Sequence, residues 1–237
     1  MTMTRHCMLA AMVMGLAGAT ASAQTWGESG DAPDGPTTWQ DTVGVGALLS
    51  ITGSIDRPGG DHVDTYCINI TDPTNFMAST ATAFGGSAAF DSRLWLWNAN
   101  GGLVLANDDT PAGAGGGLAS IISDPSTYTA LTGGGVVAAT ATFSITPGRY
   151  LLSISSYAND PEDVGNVDLA ALGTDFDALH GPSTSAGAFD HWENTSDTDA
   201  GNYEIALRGA TFCNVPVPGV AGLMGLGLGF VGLRRRR

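Results

Sequence analysis

The chain has 237 residues, which suits a single β-sandwich domain, and a net charge of −14. It contains no lysine, and its central part, residues 24–214, holds four arginines against 23 acidic residues, a net charge of about −19. This charge excludes nucleic acid and anionic lipid as partners of the central part, because phosphate groups are repelled. Divalent cations and neutral polar partners stay open, as does a role of the charge in solubility alone.

Residues 1–23 predict a secretory signal peptide. Arg5 and His6 give a basic start, an apolar stretch of residues 7–17 follows, and Ala21-Ser22-Ala23 forms a small-residue cleavage site before Gln24. The apolar stretch is too short to span a bilayer. We therefore expect an exported protein.

The central part predicts an all-β fold. Short runs rich in β-branched and aromatic residues indicate about eight strands, at residues 47–55, 63–70, 76–83, 94–98, 103–107, 138–145, 149–157 and 203–212. In the second run, Tyr66, Ile68 and Ile70 share one face, and Cys67 points outward from the other. With 34 glycines and frequent turn residues, this pattern favours a single jelly-roll-like β-sandwich.

Two long connections interrupt the strands. Residues 110–135, rich in Gly, Ala and Ser, predict a mobile surface loop. Residues 158–200 are strongly acidic, and the spacing of Leu169, Leu172, Phe176 and Leu179 predicts a short helix in an ordered loop.

Two cysteines remain after removal of the signal peptide. In an oxidising compartment Cys67 and Cys213 are a candidate disulfide. By the chain-entropy model, such a bond would stabilise the domain by about 4–5 kcal/mol.

Clusters of hard oxygen ligands make calcium the candidate cofactor. They comprise Asn107-Asp108-Asp109, Asp61 with Asp64, and Glu28 with Asp31 and Asp34. No EF-hand loop is present, and the alternative for Asn107-Asp108-Asp109 is a simple chain turn.

The tryptophans and histidines suggest two further kinds of site. Trp95 and Trp97 share one face of a strand and are candidates for stacking on sugar rings, with a buried tryptophan pair as the alternative. No catalytic residue is predicted, because no nucleophile motif or zinc-ligand spacing accompanies His62, His180 and His191.

Four motifs, in this order, carry a family resemblance: Asp61-His62-Val63-Asp64-Thr65-Tyr66; Leu94-Trp95-Leu96-Trp97 with Asn107-Asp108-Asp109; Pro147-Gly148-Arg149-Tyr150; and Gly201-Asn202-Tyr203-Glu204-Ile205-Ala206-Leu207. They resemble the pre-peptidase C-terminal type of β-sandwich, and the likeness covers most of residues 24–214. The extra residue His62 departs from the Gly-Asp-x-Asp form that is commoner in that family. The resemblance implies a fold without a catalytic role.

The end of the chain, residues 215–237, resembles a PEP-CTERM sorting signal. Pro216 and Pro218 precede a 15-residue apolar stretch, and Arg234, Arg235, Arg236 and Arg237 follow it. The resemblance implies processing by a membrane exosortase. As a helix the apolar stretch would reach about 22 Å, against a hydrocarbon core of about 30 Å. This length favours a transient inner-membrane anchor with cytoplasmic arginines, and the alternative is a permanent anchor.

Together these features predict a non-catalytic protein of the cell surface or extracellular matrix, sorted by an exosortase and structural or adhesive in role. The alternative is a calcium-dependent carbohydrate-binding module that binds exopolysaccharide or other surface glycans. A secreted hydrolase is a more distant alternative.

Overall fold

A computed structural model describes residues 24–173, 175–193 and 198–215. The predicted signal peptide and the predicted sorting motif, with Pro216, Pro218 and Arg234 to Arg237, lie outside the described residues. Within the described ranges, no helix is both long and apolar enough to cross a membrane.

Fourteen strands and one α-helix form the described part of the chain. The strands are β1 (Gln24–Gly27), β2 (Gln40–Asp41), β3 (Leu48–Asp56), β4 (Val63–Ile70), β5 (Met77–Ser79), β6 (Ser87–Ala88), β7 (Ser92–Asn98), β8 (Leu103–Asn107), β9 (Ile121–Ser123), β10 (Gly148–Ser156), β11 (Pro161–Asp163), β12 (Phe189–Trp192), β13 (Ala200–Arg208) and β14 (Ala210–Phe212). The helix is α1 (Pro125–Leu131).

The strands form two six-stranded sheets, which confirms the predicted all-β sandwich. In the first sheet the order is β1-β3-β13-β5-β9, with β6 also paired to β13. In the second the order is β14-β4-β10-β7-β8, with β2 also paired to β4. Strands β11 and β12 make a separate two-stranded sheet.

The main core lies between the two large sheets. The predicted alternation in β4 holds, since Tyr66, Ile68 and Ile70 all belong to this core. Ile51 of β3 and Ile205 of β13 belong to it as well, and both are fully buried. Apolar side chains on alternate positions of both sheets therefore hold the sandwich together.

A second apolar cluster covers the outer face of the second sheet. Cys67, Trp95 and Trp97 lie on this face and pack with Leu169 and Trp192 from residues 158–193. Cys67 points away from the main core, as predicted, yet it is 0% exposed because this segment covers it. The sheet is thus buried on both sides.

The structure contains the disulfide that the sequence suggested as a candidate. Cys67 on β4 forms a disulfide with Cys213, just after β14, and their Cα atoms are 5.5 Å apart. Strand β14 pairs directly with β4, which brings the two residues together.

Three local predictions were wrong. Residues 138–145 form no strand, and no helix spans the described residues between Leu169 and Leu179. Residues 110–135 are not a plain surface loop, because they contain β9 and α1. Asp124 caps α1 by accepting a hydrogen bond from the Ser126 amide at 3.0 Å. The buried ring of Tyr128 anchors α1 to the main core.

Candidate metal centre

Five carboxylates from two chain segments meet at one end of the sandwich. One oxygen each of Glu28, Asp31 and Asp64 lie within 4.8 Å of one another, and the same holds for Asp31, Asp34 and Asp61. Asp31 belongs to both groups, so the five residues form one continuous set, called the N-terminal cluster below. The sequence supplied these residues as two separate candidate sets, and the fold brings them together.

Strand pairing places the first segment. Strand β1 runs parallel to β3, and the Glu28 amide, just past β1, donates to the Thr52 carbonyl at 2.8 Å. The Glu28 carboxylate accepts hydrogen bonds from the amides of Ala32 at 2.9 Å and Ser54 at 3.0 Å. Gly53 permits this approach, because a Cβ there would lie 2.7 Å from Glu28 Oε2. Glu28 is therefore held in a fixed position.

The second segment leads from β3 into β4. The Asp61 amide donates to the Asp56 carbonyl at 3.1 Å, and Asp61 Oδ2 accepts from the Asp56 amide at 3.2 Å. Asp61 Oδ1 is buried and has no hydrogen-bond donor. This short loop directs Asp61 toward Asp31 and Asp34.

Asp64 is the most deeply buried member of the cluster. It lies on the same face of β4 as Tyr66 and is 0% exposed. The Tyr203 hydroxyl, from the opposite sheet, donates to Asp64 Oδ2 at 2.5 Å and lies 2.6 Å from the Tyr66 hydroxyl. Asp64 Oδ1 has no hydrogen-bond donor. A buried carboxylate oxygen without a partner is costly, so it points to a ligand or a proton.

Burial and mutual repulsion shift the acidities of the cluster. Burial raises the pKa of Asp64 to about 9, against the hydrogen bond from Tyr203 and with help from the charges of Glu28 and Asp61. Burial, followed by the charges of Asp31 and Glu28, raises the pKa of Asp61 to about 7. Burial and Asp31 raise the pKa of Asp34 to about 6. Without a cation these groups resist ionisation.

This donor set suits calcium. Calcium takes six to eight oxygen ligands at about 2.3–2.6 Å, so two oxygens on the same ion are at most about 5 Å apart. The oxygen separations in both groups of three meet this limit. A bound divalent cation would offset the repulsion and satisfy the orphaned oxygens of Asp61 and Asp64.

The predicted ligand Asn107 does not join a metal site. Its side-chain amide donates to the Ala178 carbonyl at 3.0 Å and to the Tyr128 hydroxyl at 3.2 Å, and its Oδ1 accepts from the Ile121 amide at 2.7 Å. All of its polar atoms serve the fold. Asp108 and Asp109 instead meet Asp91 in a second acidic group, remote in sequence from the first.

The predicted sugar-stacking pair is also corrected. Trp95 and Trp97 are 0% exposed, and their Nε1 atoms each donate at 2.9 Å, to Ser155 and Ser153 respectively. Both rings make edge-on contacts with Trp192, at centroid distances of 5.8 and 6.1 Å. No ring face is open to a sugar, because residues 158–193 cover this side of the sheet.

Sequence reasoning missed one acidic residue that the fold brings to a cluster. Asp91 precedes β7, and no ligand spacing links it to Asp108 or Asp109. The antiparallel pairing of β7 with β8, in which Leu94 faces Asn107, is the signal that could have found it. The start of one strand in a hairpin lies beside the end of the other.

The architecture therefore defines an all-β sandwich with a buried acidic centre. No protein-family model and no curated protein matches the chain. Among solved structures, it is similar to the pre-peptidase C-terminal domain of a collagenase from Bacillus anthracis, with 14% identity and a TM-score of 0.33. The match covers 80% of this chain and 97% of that domain. Since this TM-score is low, the fold assignment rests on the strand pairing and core packing given above.

Proposed function

We propose that this protein is a non-catalytic, exported component of the cell surface or extracellular matrix, with a structural or adhesive role, whose sandwich is stabilised by calcium. The observation that carries the proposal is the N-terminal cluster, in which fully buried Asp64 has an oxygen without a donor. Calcium there would tie the segment after β1 to the start of β4, and so close one end of the sandwich.

Calcium at this position fits an extracellular setting. Calcium-binding extracellular modules work with dissociation constants of about 10⁻⁴ to 10⁻³ M, matched to the calcium outside cells. Asp31, which is exposed, belongs to both groups of three and leaves the cluster accessible to ions from solution. The cluster would then stabilise the protein only after export.

Export is supported by separate features. A disulfide between Cys67 and Cys213 persists in oxidising compartments and is rare in the cytosol. The signal peptide and the tail that resembles a PEP-CTERM signal add a route through the inner membrane and release by an exosortase. The mature domain would then reach the surface or the matrix.

The absence of a catalytic role is likewise part of the proposal. His180 Nε2 lies 3.0 Å from the Asp175 carbonyl, and His191 lies 3.1 Å from carboxylate oxygens of both Glu162 and Asp190. Within the described residues, neither histidine is hydrogen-bonded to a serine hydroxyl, as a serine nucleophile would require. Burial of Trp95 and Trp97 likewise weakens the carbohydrate-binding alternative.

Thermal unfolding with and without calcium tests the central claim. At calcium concentrations near 100 times the dissociation constant, we expect about 2.7 kcal/mol of stabilisation over the protein in EDTA. This corresponds to a rise in Tm of about 5–10 °C for a domain of this size. Asp31→Asn should lower this rise, whereas Glu204→Gln, which changes charge outside the acidic clusters, should keep it. An equal Tm in calcium and EDTA would refute calcium stabilisation.

The cellular part of the proposal needs a different measurement. Mass spectrometry of the mature protein from its native cells should find a chain that lacks Arg234 to Arg237 and sits in the surface or matrix fraction. An intact arginine tail on the mature protein would overturn exosortase sorting. Turnover of a polysaccharide by the purified protein, lost on changing one carboxylate, would overturn the non-catalytic role.

A further inference from the structure

A second acidic group lies at the open end of the β7–β8 hairpin. Asp91 immediately precedes β7, and Asp108 and Asp109 immediately follow β8. One oxygen of each residue lies within 4.8 Å of the others. These three residues are called the hairpin cluster.

Each residue of the hairpin cluster has a buried oxygen without a donor. The Oδ1 atoms of Asp91, Asp108 and Asp109 are all inaccessible to solvent and accept no hydrogen bond from the protein. Asp108 as a whole is 1% exposed. Orphaned buried oxygens are rare in folded proteins, so three in one place point to a cation or to bound protons.

The protein itself supplies only part of the required charge. The Arg93 guanidinium donates to Asp108 Oδ2 at 2.8 Å and also to Asp160, so it is divided between two carboxylates. Asp91 and Asp109 keep their Oδ1 atoms unpaired beside it. Because the one positive charge of Arg93 is shared between two carboxylates, the hairpin cluster keeps a net negative charge.

The backbone around the hairpin cluster is fixed. The Ser120 hydroxyl donates to the Asp108 carbonyl at 2.7 Å and also contacts the Ser92 carbonyl, which ties the two hairpin strands together. Asp91 also lines a surface cleft of about 520 Å³, which gives an ion a path from solvent. The hairpin cluster is therefore held in place and meets the cleft through Asp91.

We propose that Asp91, Asp108 and Asp109 form a second divalent-cation site, specific for a hard cation such as calcium and independent of the N-terminal cluster. The ligands are all carboxylate oxygens, which favour calcium over softer metals. Asp108 would bind the cation through Oδ1 while Oδ2 keeps its contact with Arg93. The site would lock the start of β7 to the end of β8.

Calcium titration of the full-length chain, stripped with EDTA, tests this proposal. Isothermal titration calorimetry and native mass spectrometry with CaCl₂ would count the ions bound by the wild type, by Asp91→Asn/Asp109→Asn, and by Asp31→Asn. We expect the double variant to bind one ion fewer than the wild type, and Asp31→Asn to retain that ion. Glu204→Gln should match the wild type.

The same variants distinguish this site from the N-terminal cluster. Loss of calcium binding in Asp31→Asn alone, with equal ion counts in the wild type and the double variant, would overturn the second site and leave the first intact. A lost ion in the double variant alone would support the second site even if the first failed.

Stability gives a further readout. At pH 8 in EDTA, the double variant should melt at or above the wild-type Tm because two repelling carboxylates are gone. Addition of calcium should raise its Tm by less than it raises the Tm of the wild type. If the double variant does not fold, a crystal structure of the wild type grown in millimolar CaCl₂ tests the site instead. An ion within about 2.6 Å of all three carboxylates would support the site, and its absence would overturn it.

Discussion

The N-terminal cluster gathers five carboxylates and the hairpin cluster three, and their negative charge is offset in different ways. In the first, Asp64 shares a hydrogen-bonded chain with Tyr203 and Tyr66, which links the two large sheets. In the second, Asp108 is paired with Arg93, which is 4% exposed. Buried negative charge is thus offset by phenol hydroxyls at one place and by a guanidinium at the other.

This difference predicts different responses. A carboxyl group bonded to a neutral phenol can take up a proton when no cation is present, so the N-terminal cluster should respond to pH more strongly than the hairpin cluster. A buried carboxylate paired with arginine depends on that partner, because loss of the arginine leaves its charge uncompensated. Three experiments test this difference between the N-terminal cluster and the hairpin cluster.

The largest effect is expected from pH, because several groups act together. Burial first, and then neighbouring negative charge, raises the pKa in the N-terminal cluster to about 9 for Asp64, about 7 for Asp61 and about 6 for Asp34. In the hairpin cluster the same causes raise the pKa of Asp91 to about 7. In the unfolded chain these groups titrate near pH 4, so between about pH 4 and 9 the folded state binds more protons. The free energy of unfolding in EDTA should therefore fall as pH rises through this range.

Denaturant unfolding between pH 5 and 9 measures this slope. Excess calcium should flatten it, because the cation stabilises the ionised carboxylates. Asp31→Asn should reduce the slope in EDTA more than Glu204→Gln does, since Asp31 raises the pKa of both Asp61 and Asp34. Stability in EDTA that stays flat or rises with pH would contradict the assigned acidities.

Removal of Arg93 should give the next largest effect. Arg93→Met leaves Asp108 and Asp160 without their shared partner, and loss of one member of a buried ion pair costs about 3–5 kcal/mol. Chemical denaturation would measure the loss. Arg208→Met, an exposed arginine on β13, is the matched control and should change stability by less than about 0.5 kcal/mol. Equal effects of the two changes would show that the Arg93 ion pairs do not stabilise the fold.

The smallest effect is expected at the phenol. Tyr203→Phe removes the donor to Asp64 and the contact with the Tyr66 hydroxyl, which should cost about 1–3 kcal/mol in EDTA. It should also move the pH response upward, because the Tyr203 hydrogen bond lowers the pKa of Asp64. Tyr157→Phe, at a ring that is 43% exposed, is the control. An unchanged pH response in Tyr203→Phe would exclude this hydroxyl as the group that tunes Asp64.

The sequence predicted those parts of the fold that depend on local alternation. The bounds of β4 and β8 match the prediction because period-two apolar patterns and Gly-rich turns define them. The sequence does not show whether the outer face of β7 is buried or exposed. Trp95 and Trp97 alternate with Leu94 and Leu96, and only the tertiary position of residues 158–193 shows that both faces are buried.

The candidate metal centre was predicted in part for the same reason. Asp61 and Asp64 are close in sequence, so their proximity could be expected, and Glu28, Asp31 and Asp34 formed a recognisable set. That the two sets coincide depends on the parallel pairing of β1 with β3, a long-range contact. The prediction of Asn107 as a metal ligand was wrong. An asparagine beside two aspartates has the same sequence pattern whether its side chain binds a metal or is hydrogen-bonded to the backbone, as it is here.

The disulfide also determines how the domain would bear tension. Cys67 and Cys213 are 146 positions apart in the sequence, and the segment between them includes β5 to β14 and part of β4. A pull applied at the two ends of the chain would pass through the sulfur–sulfur bond and bypass those residues. Only the segments outside the bond could extend, so most of the sandwich would keep its shape under load while the bond is intact.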